Sequence, residues 1–114
     1  MEIVRGAMQA AEDKKATNPV VVHIGEISAF ADYFLVCSAD TRIQLNAICD
    51  QIQKALGSQG LYPSHVEGYG QSGWVLMDYG TVIVHVFLEH LRSYYALEDL
   101  WGDARRVNLR EPDR

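Results

Sequence analysis

The chain has 114 residues, 48% of them hydrophobic and 22% charged, a composition that fits one folded domain and argues against a disordered one. Its longest apolar runs, such as TVIVHVFL, fall far short of the ~20 residues a membrane-spanning helix needs, and its first residues, MEIVRGAMQAAEDKK, lack the apolar stretch of a secretory signal. A net charge of −5, with a pI of about 5.2, disfavours a protein that grips nucleic-acid phosphates unaided, because the one basic cluster, ARRVNLREPDR, is interrupted by acids.

These totals predict a cytoplasmic protein with no membrane partner and no direct sequence-specific nucleic-acid partner. An acidic chain suits a basic protein partner, since complementary fields speed encounter. The two cysteines, Cys37 and Cys49, lack CxxC spacing and are expected to be buried and reduced.

Residues 2–16 predict a helix, with Ile3, Val4, Ala7, Met8 and Ala11 at helical spacing and Asn18-Pro19 ending it. Two β-rich runs follow, VVVHI at 20–24 and DYFLVCS at 32–38. A second helix over 42–57 puts Leu45, Ile48, Ile52 and Leu56 on one stripe. Asp40 or Thr41 caps its start, Thr41 with Gln44 matching a weak capping box, and Gly57 and Gly60 stop it. Strands are expected at 64–67, 73–78 and 81–88, then a last helix from Glu89 to Trp101, with Leu100 and Trp101 as core. The order is α-β-β-α-β-β-β-α: a single-domain α/β (α+β) fold with a mixed five-stranded sheet and helices packed on it. The domain spans 1–104, and 105–114 is a charged, flexible tail.

The stretch GWVLMDYGTVIVHVF, residues 73–87, reads as a hairpin turning at Tyr79-Gly80. That turn pairs Asp78 with Thr81, Leu76 with Ile83 and Trp74 with His85. One face then carries Val75, Met77, Val82, Val84 and Val86, and belongs under the helices. The other mixes Trp74, Leu76, Asp78, Thr81, Ile83, His85 and Phe87. Two readings of this mixed face stay open: a second core layer beneath a helix, or a partner-binding face with an aromatic centre. A one-residue change of register would exchange the two faces.

Chemical motifs are weak. GYGQSG, residues 68–73, matches G-x-G-x-x-G, but a strand follows it where a phosphate-binding loop needs a helix N-terminus; Gly68, Gly70 and Gly73 read as a hairpin loop. His23, His65, His85 and His90 have no metal-ligand spacing. A nucleotidyltransferase would clamp metal ions with two carboxylates one residue apart on a strand; FADYFLV offers Asp32 alone, with Phe34 at the second position.

ADYFLVCSADTR, together with VEGYGQSGWVLMDYGTVIVHVFLEHLRSYYALEDLWGDA, resembles the ribosomal silencing factor (Iojap-like) family, over roughly residues 2–104. Glu89, where that family often has Pro, and Ala39-Asp40 are small departures. The resemblance implies a nucleotidyltransferase-like fold without transferase activity, no enzyme and no cofactor. It further implies a translational repressor that binds ribosomal protein fourteen of the large subunit, blocks small-subunit joining when nutrients fall, and can form a homodimer. Set on this sequence, that role has Trp74, Leu76 and Tyr79 as apolar contacts, Asp78, Glu98 and Asp99 facing basic side chains, and Tyr94 and Tyr95 at the border. A large-subunit assembly factor and a degenerate nucleotide-binding protein are the alternatives.

Overall fold

The computed structural model describes residues 2–25, 31–68, 73–91 and 105–107, the last by backbone alone. The elements are α1 (Glu2–Asp13), β1 (Thr17–His23), β2 (Tyr33–Ala39), α2 (Arg42–Gly57), β3 (His65–Glu67), β4 (Trp74–Asp78), β5 (Val82–Leu88) and β6 (Arg105–Val107). The five expected strands are all present. Residues 89–91 open a helical turn where the last helix is expected; the remainder of that helix, with Leu100 and Trp101, lies outside the described residues.

The strands lie in the order β3-β4-β5-β2-β1-β6. Every neighbouring pair is antiparallel except β2 and β5, which run parallel from Tyr33↔Val82 to Ala39↔Leu88. The sheet is therefore mixed, and α2 belongs to the long crossover that a parallel pair requires. The sixth strand departs from expectation: Arg105–Val107, placed by composition in a charged tail, pair with His23, Val22 and Val21 of β1. Alternating Arg and Val in three residues is too short a signal to separate an edge strand from a loop.

The helix layer forms as the sequence dictates. The α1 stripe buries Val4, Ala7, Ala10 and Ala11, and the α2 stripe buries Leu45, Ile48, Cys49, Ile52 and Leu56. Both pack against Leu35, Cys37, Val75, Met77, Val84 and Val86 of the sheet. Cys37 and Cys49 are free and buried, and burial pushes the Cys49 thiol up to about 12, with Cys37 and Asp50 adding to the effect.

Capping sets the helix ends. Thr41 accepts the backbone N–H of Gln44 through Oγ1, as the capping box predicts. The Gln44 side chain reaches beyond the cap residue: Nε2 donates to the carbonyls of Lys14 and Lys15, and Oε1 accepts from the Asp40 N–H, one residue before Thr41. It thereby satisfies carbonyls at the end of α1 from the start of α2.

α1 ends earlier than the Asn18-Pro19 signal suggests. Ala16 N–H donates to the Ala11 carbonyl and Lys15 N–H to that of Glu12, a Schellman pattern with Lys15 in the left-handed position at φ 62°. Asn18, at φ 48°, and Pro19 fall instead at an irregularity in β1 between Thr17 and Val20. Glu89 holds that irregularity, accepting from Thr17 Oγ1 and Asn18 Nδ2 at 3.1 Å each.

The hairpin turns one step later than expected. Asp78 pairs with Ile83, Leu76 with His85 and Trp74 with Phe87, while Tyr79 N–H donates to the Val82 carbonyl at 2.9 Å. The loop residues are thus Gly80-Thr81. Gly80 sits at φ 87° in the first loop position, where a type II′ turn requires positive φ, and its N–H donates to Asp78 Oδ1 at 2.8 Å. Each pairing moves by two residues relative to the Tyr79-Gly80 turn. A shift of two preserves side-chain parity, so both faces keep the composition read from the sequence.

Candidate functional site

The mixed face is built from β4, β5, β2 and β1. Val22, Ile24, Ala31, Val36 and Phe87 form a small buried core on it, bordered by half-buried Val20, Phe34, Trp74 and Ile83. Neither α1 nor α2 contributes to this cluster; among the described residues no helix packs on that side.

An aromatic group lies at its centre. Trp74 and Phe87 are direct cross-strand partners, and their rings stack at 5.2 Å and 20°. The Trp74 Nε1–H donates to His85 Nδ1 at 3.1 Å. Phe34 stands edge-on against the His85 ring at 4.7 Å and 65°. His85 is only 4% exposed, and this burial pushes its pKa down to about 4. The imidazole is therefore neutral at neutral pH. Because Nδ1 accepts from the indole, the ring proton resides on Nε2.

Of the sequence-predicted contact residues, Trp74, Leu76 and Asp78 come together here, all half-buried. One Asp78 oxygen is committed to the Gly80 N–H. Tyr79 does not join them. With the loop at Gly80-Thr81 it becomes a strand-end residue opposite Val82, and its ring packs with the helix-side core. Burial, reinforced by Cys49, pushes the Tyr79 hydroxyl up to about 12. Placing Tyr79 with Trp74 is thus corrected by the parity of the strand. Tyr94, Tyr95, Glu98 and Asp99 lie outside the described residues.

Sequence reasoning misses two contributors as site residues. His85 is counted onto this face, and its position next to Trp74 across the strands is the available signal. Phe34 arrives only through the parallel β2–β5 pairing, opposite Ile83, which no local pattern shows.

The other motifs carry no chemistry. β3 and β4 pair antiparallel, His65 with Asp78, so a strand, not a helix, follows Gly73 at the place where a phosphate-binding loop needs a helix N-terminus. Among the described residues, no three His, Cys, Asp or Glu side chains converge as a metal site requires, and no helix is long and apolar enough to cross a membrane.

Fold and site together define an α+β domain whose described residues place a helix layer on one sheet face and an aromatic patch bordered by Asp78 on the other. The family model described as "ribosomal silencing factor during starvation" matches residues 1–114. The ribosomal silencing factor of Halalkalibacterium halodurans is 44% identical over 108 residues, 95% of this chain and 92% of that protein. That of Bacillus subtilis is 40% identical over 107 residues, 94% of this chain and 91% of that protein. The crystal structure of a Chromobacterium violaceum protein superposes with a TM-score of 0.86 at 33% identity, covering 89% of this chain and 84% of that one. The chain belongs to the ribosomal silencing factor family, and the relatives it matches bear that name.

Proposed function

We propose that this protein represses translation in the cytoplasm under nutrient limitation by binding ribosomal protein fourteen of the large subunit, so that the small subunit cannot join. No bond is made or broken; the action is steric. The observation that carries this reading is the sheet face on which, among the described residues, no helix packs, with Trp74 stacked on Phe87 at its centre, in a chain of a ribosome-silencing family. A large, half-buried aromatic ring with aliphatic neighbours such as Ile83 is the usual make-up of an interface centre. Asp78 borders the patch, and the net charge of −5 favours a basic ribosomal protein as partner. Tyr94, Tyr95, Glu98 and Asp99 extend the proposed contact surface; Tyr79 does not belong to it.

The test is co-sedimentation with purified large subunits, followed by addition of small subunits, for wild type and for Trp74→Ala shown by circular dichroism to be folded. Wild type should co-sediment and suppress subunit joining. Trp74→Ala should lose about 2–4 kcal/mol of binding energy, as truncation of a central interface aromatic does, and should permit joining. Binding of the two proteins with equal strength would remove this face from the mechanism. Failure of wild type to bind would remove the mechanism itself.

A further inference from the structure

His85 is a buried polar residue in an otherwise aromatic and aliphatic cluster, 4% exposed. Its Nδ1 accepts from Trp74, while its Nε2 is buried with no hydrogen-bond partner among the described residues. Burying an unpartnered N–H costs stability, and a phenylalanine would fill the same space without that cost. What the histidine adds is an acceptor, and the group it accepts from is the indole N–H. Trp74 is consequently fixed twice, by the stack on Phe87 and by the bond to His85, while Phe34 backs the imidazole edge-on.

We propose that His85 is the positioning residue of the docking face: by accepting the indole N–H through Nδ1, it holds Trp74 in one orientation before a partner arrives. The inference rests on the reading of the Trp74 face as the ribosome-contacting surface. A side chain already held in its bound orientation loses less freedom on association, and this raises affinity without any added contact. His85 need not touch the partner; it acts through Trp74.

Two substitutions separate this role from simple space filling. His85→Phe keeps the ring and removes the acceptor. His85→Asn gives up ring volume but places an amide oxygen near the former Nδ1. Positioning predicts that His85→Phe weakens binding to purified large subunits about tenfold, the scale expected when one interface side chain must be immobilised on binding, whereas His85→Asn stays within about threefold of wild type. A packing role predicts the opposite order.

Nitrogen NMR on the free full-length chain gives a readout independent of the ribosome. In wild type the His85 proton should be on Nε2. The Trp74 indole N–H, assigned by its loss in Trp74→Ala, should exchange slowly in wild type and His85→Asn, and rapidly in His85→Phe. If His85→Phe bound like wild type while Trp74→Ala lost binding, the positioning role would be overturned and the docking face would stand. If neither substitution altered binding, the docking face would fail and the positioning role with it. Should His85→Phe not fold, the wild-type tautomer decides: a proton on Nδ1 overturns the proposal, and a proton on Nε2 with a protected indole N–H upholds it.

Discussion

Acidification should expose His85 as a conditional element of stability. Its pKa lies near 4 in the folded chain against an ordinary 6.5, because burial disfavours the imidazolium. As pH falls below 6.5 the unfolded chain takes up this proton and the folded chain does not, so the unfolded state binds more protons and stability falls with pH. The contribution is fully present above about pH 6.5 and is lost on the way down to about pH 4. A tenfold difference in proton affinity between the two states is worth about 1.4 kcal/mol, so the whole window is worth about 3 kcal/mol, of which about 2 is gone by pH 5. Urea unfolding of wild type and His85→Phe at pH 7 and pH 5 measures it. Surface carboxylates titrate in both proteins and cancel in the comparison. Wild type should lose about 2 kcal/mol more than the variant between the two pH values. Equal losses would refute the reasoning, because they would mean that His85 is not held neutral by burial in the native state.

Further substitutions test the scaffold. Lys15→Gly should stabilise the protein by about 1 kcal/mol in chemical denaturation, since Lys15 occupies a left-handed position at φ 62° that glycine adopts without steric cost. Gly80→Ala should destabilise by about 1 kcal/mol through the backbone alone, because nothing lies within 4 Å of the added methyl group; a much larger loss would indicate a different turn. Ile52→Ala, in the fully buried α2 stripe, should cost about 2–5 kcal/mol by cavity formation while leaving any ribosome affinity of the folded fraction unchanged. Gln44→Ala removes two side-chain hydrogen bonds joining the two helix ends and a third to the Asp40 N–H, and should lower stability by about 1–2 kcal/mol.

The sequence is most legible where physics is local. The bounds of α2 follow from its stripe, its Thr41 cap and Gly60, which takes the left-handed position at φ 81°. The two hairpin faces follow from alternation, and they survive a misplaced turn because the error is even. Illegible features depend on distant partners or on a rule broken at low cost. Lys15 terminates α1 where glycine would ordinarily signal the end. Tyr79 changes side according to which two residues form the loop. Phe34 joins the aromatic cluster only once β2 is known to run beside β5, and the Arg105–Val107 strand exists only because β1 presents an edge to it. The family resemblance carries the functional reading further than any motif could, because a contact surface has no fixed residue spacing to recognise.

The parallel seam between β2 and β5 has a consequence for how the chain matures. Tyr33 meets Val82 across that seam, so the middle of the sheet joins two strands that α2, β3 and β4 separate in the chain. Such distant pairings are slow to form compared with the two-residue hairpin of β4 and β5. The hairpin alone supplies Trp74, His85 and Phe87, but Phe34 reaches His85 only when the seam is shut. The complete aromatic face therefore needs a pairing distant in sequence as well as the local hairpin. A chain that has formed the β4–β5 hairpin but not the seam lacks the backing of Phe34, so the surface proposed to stop the ribosome is complete only when β2 and β5 are paired.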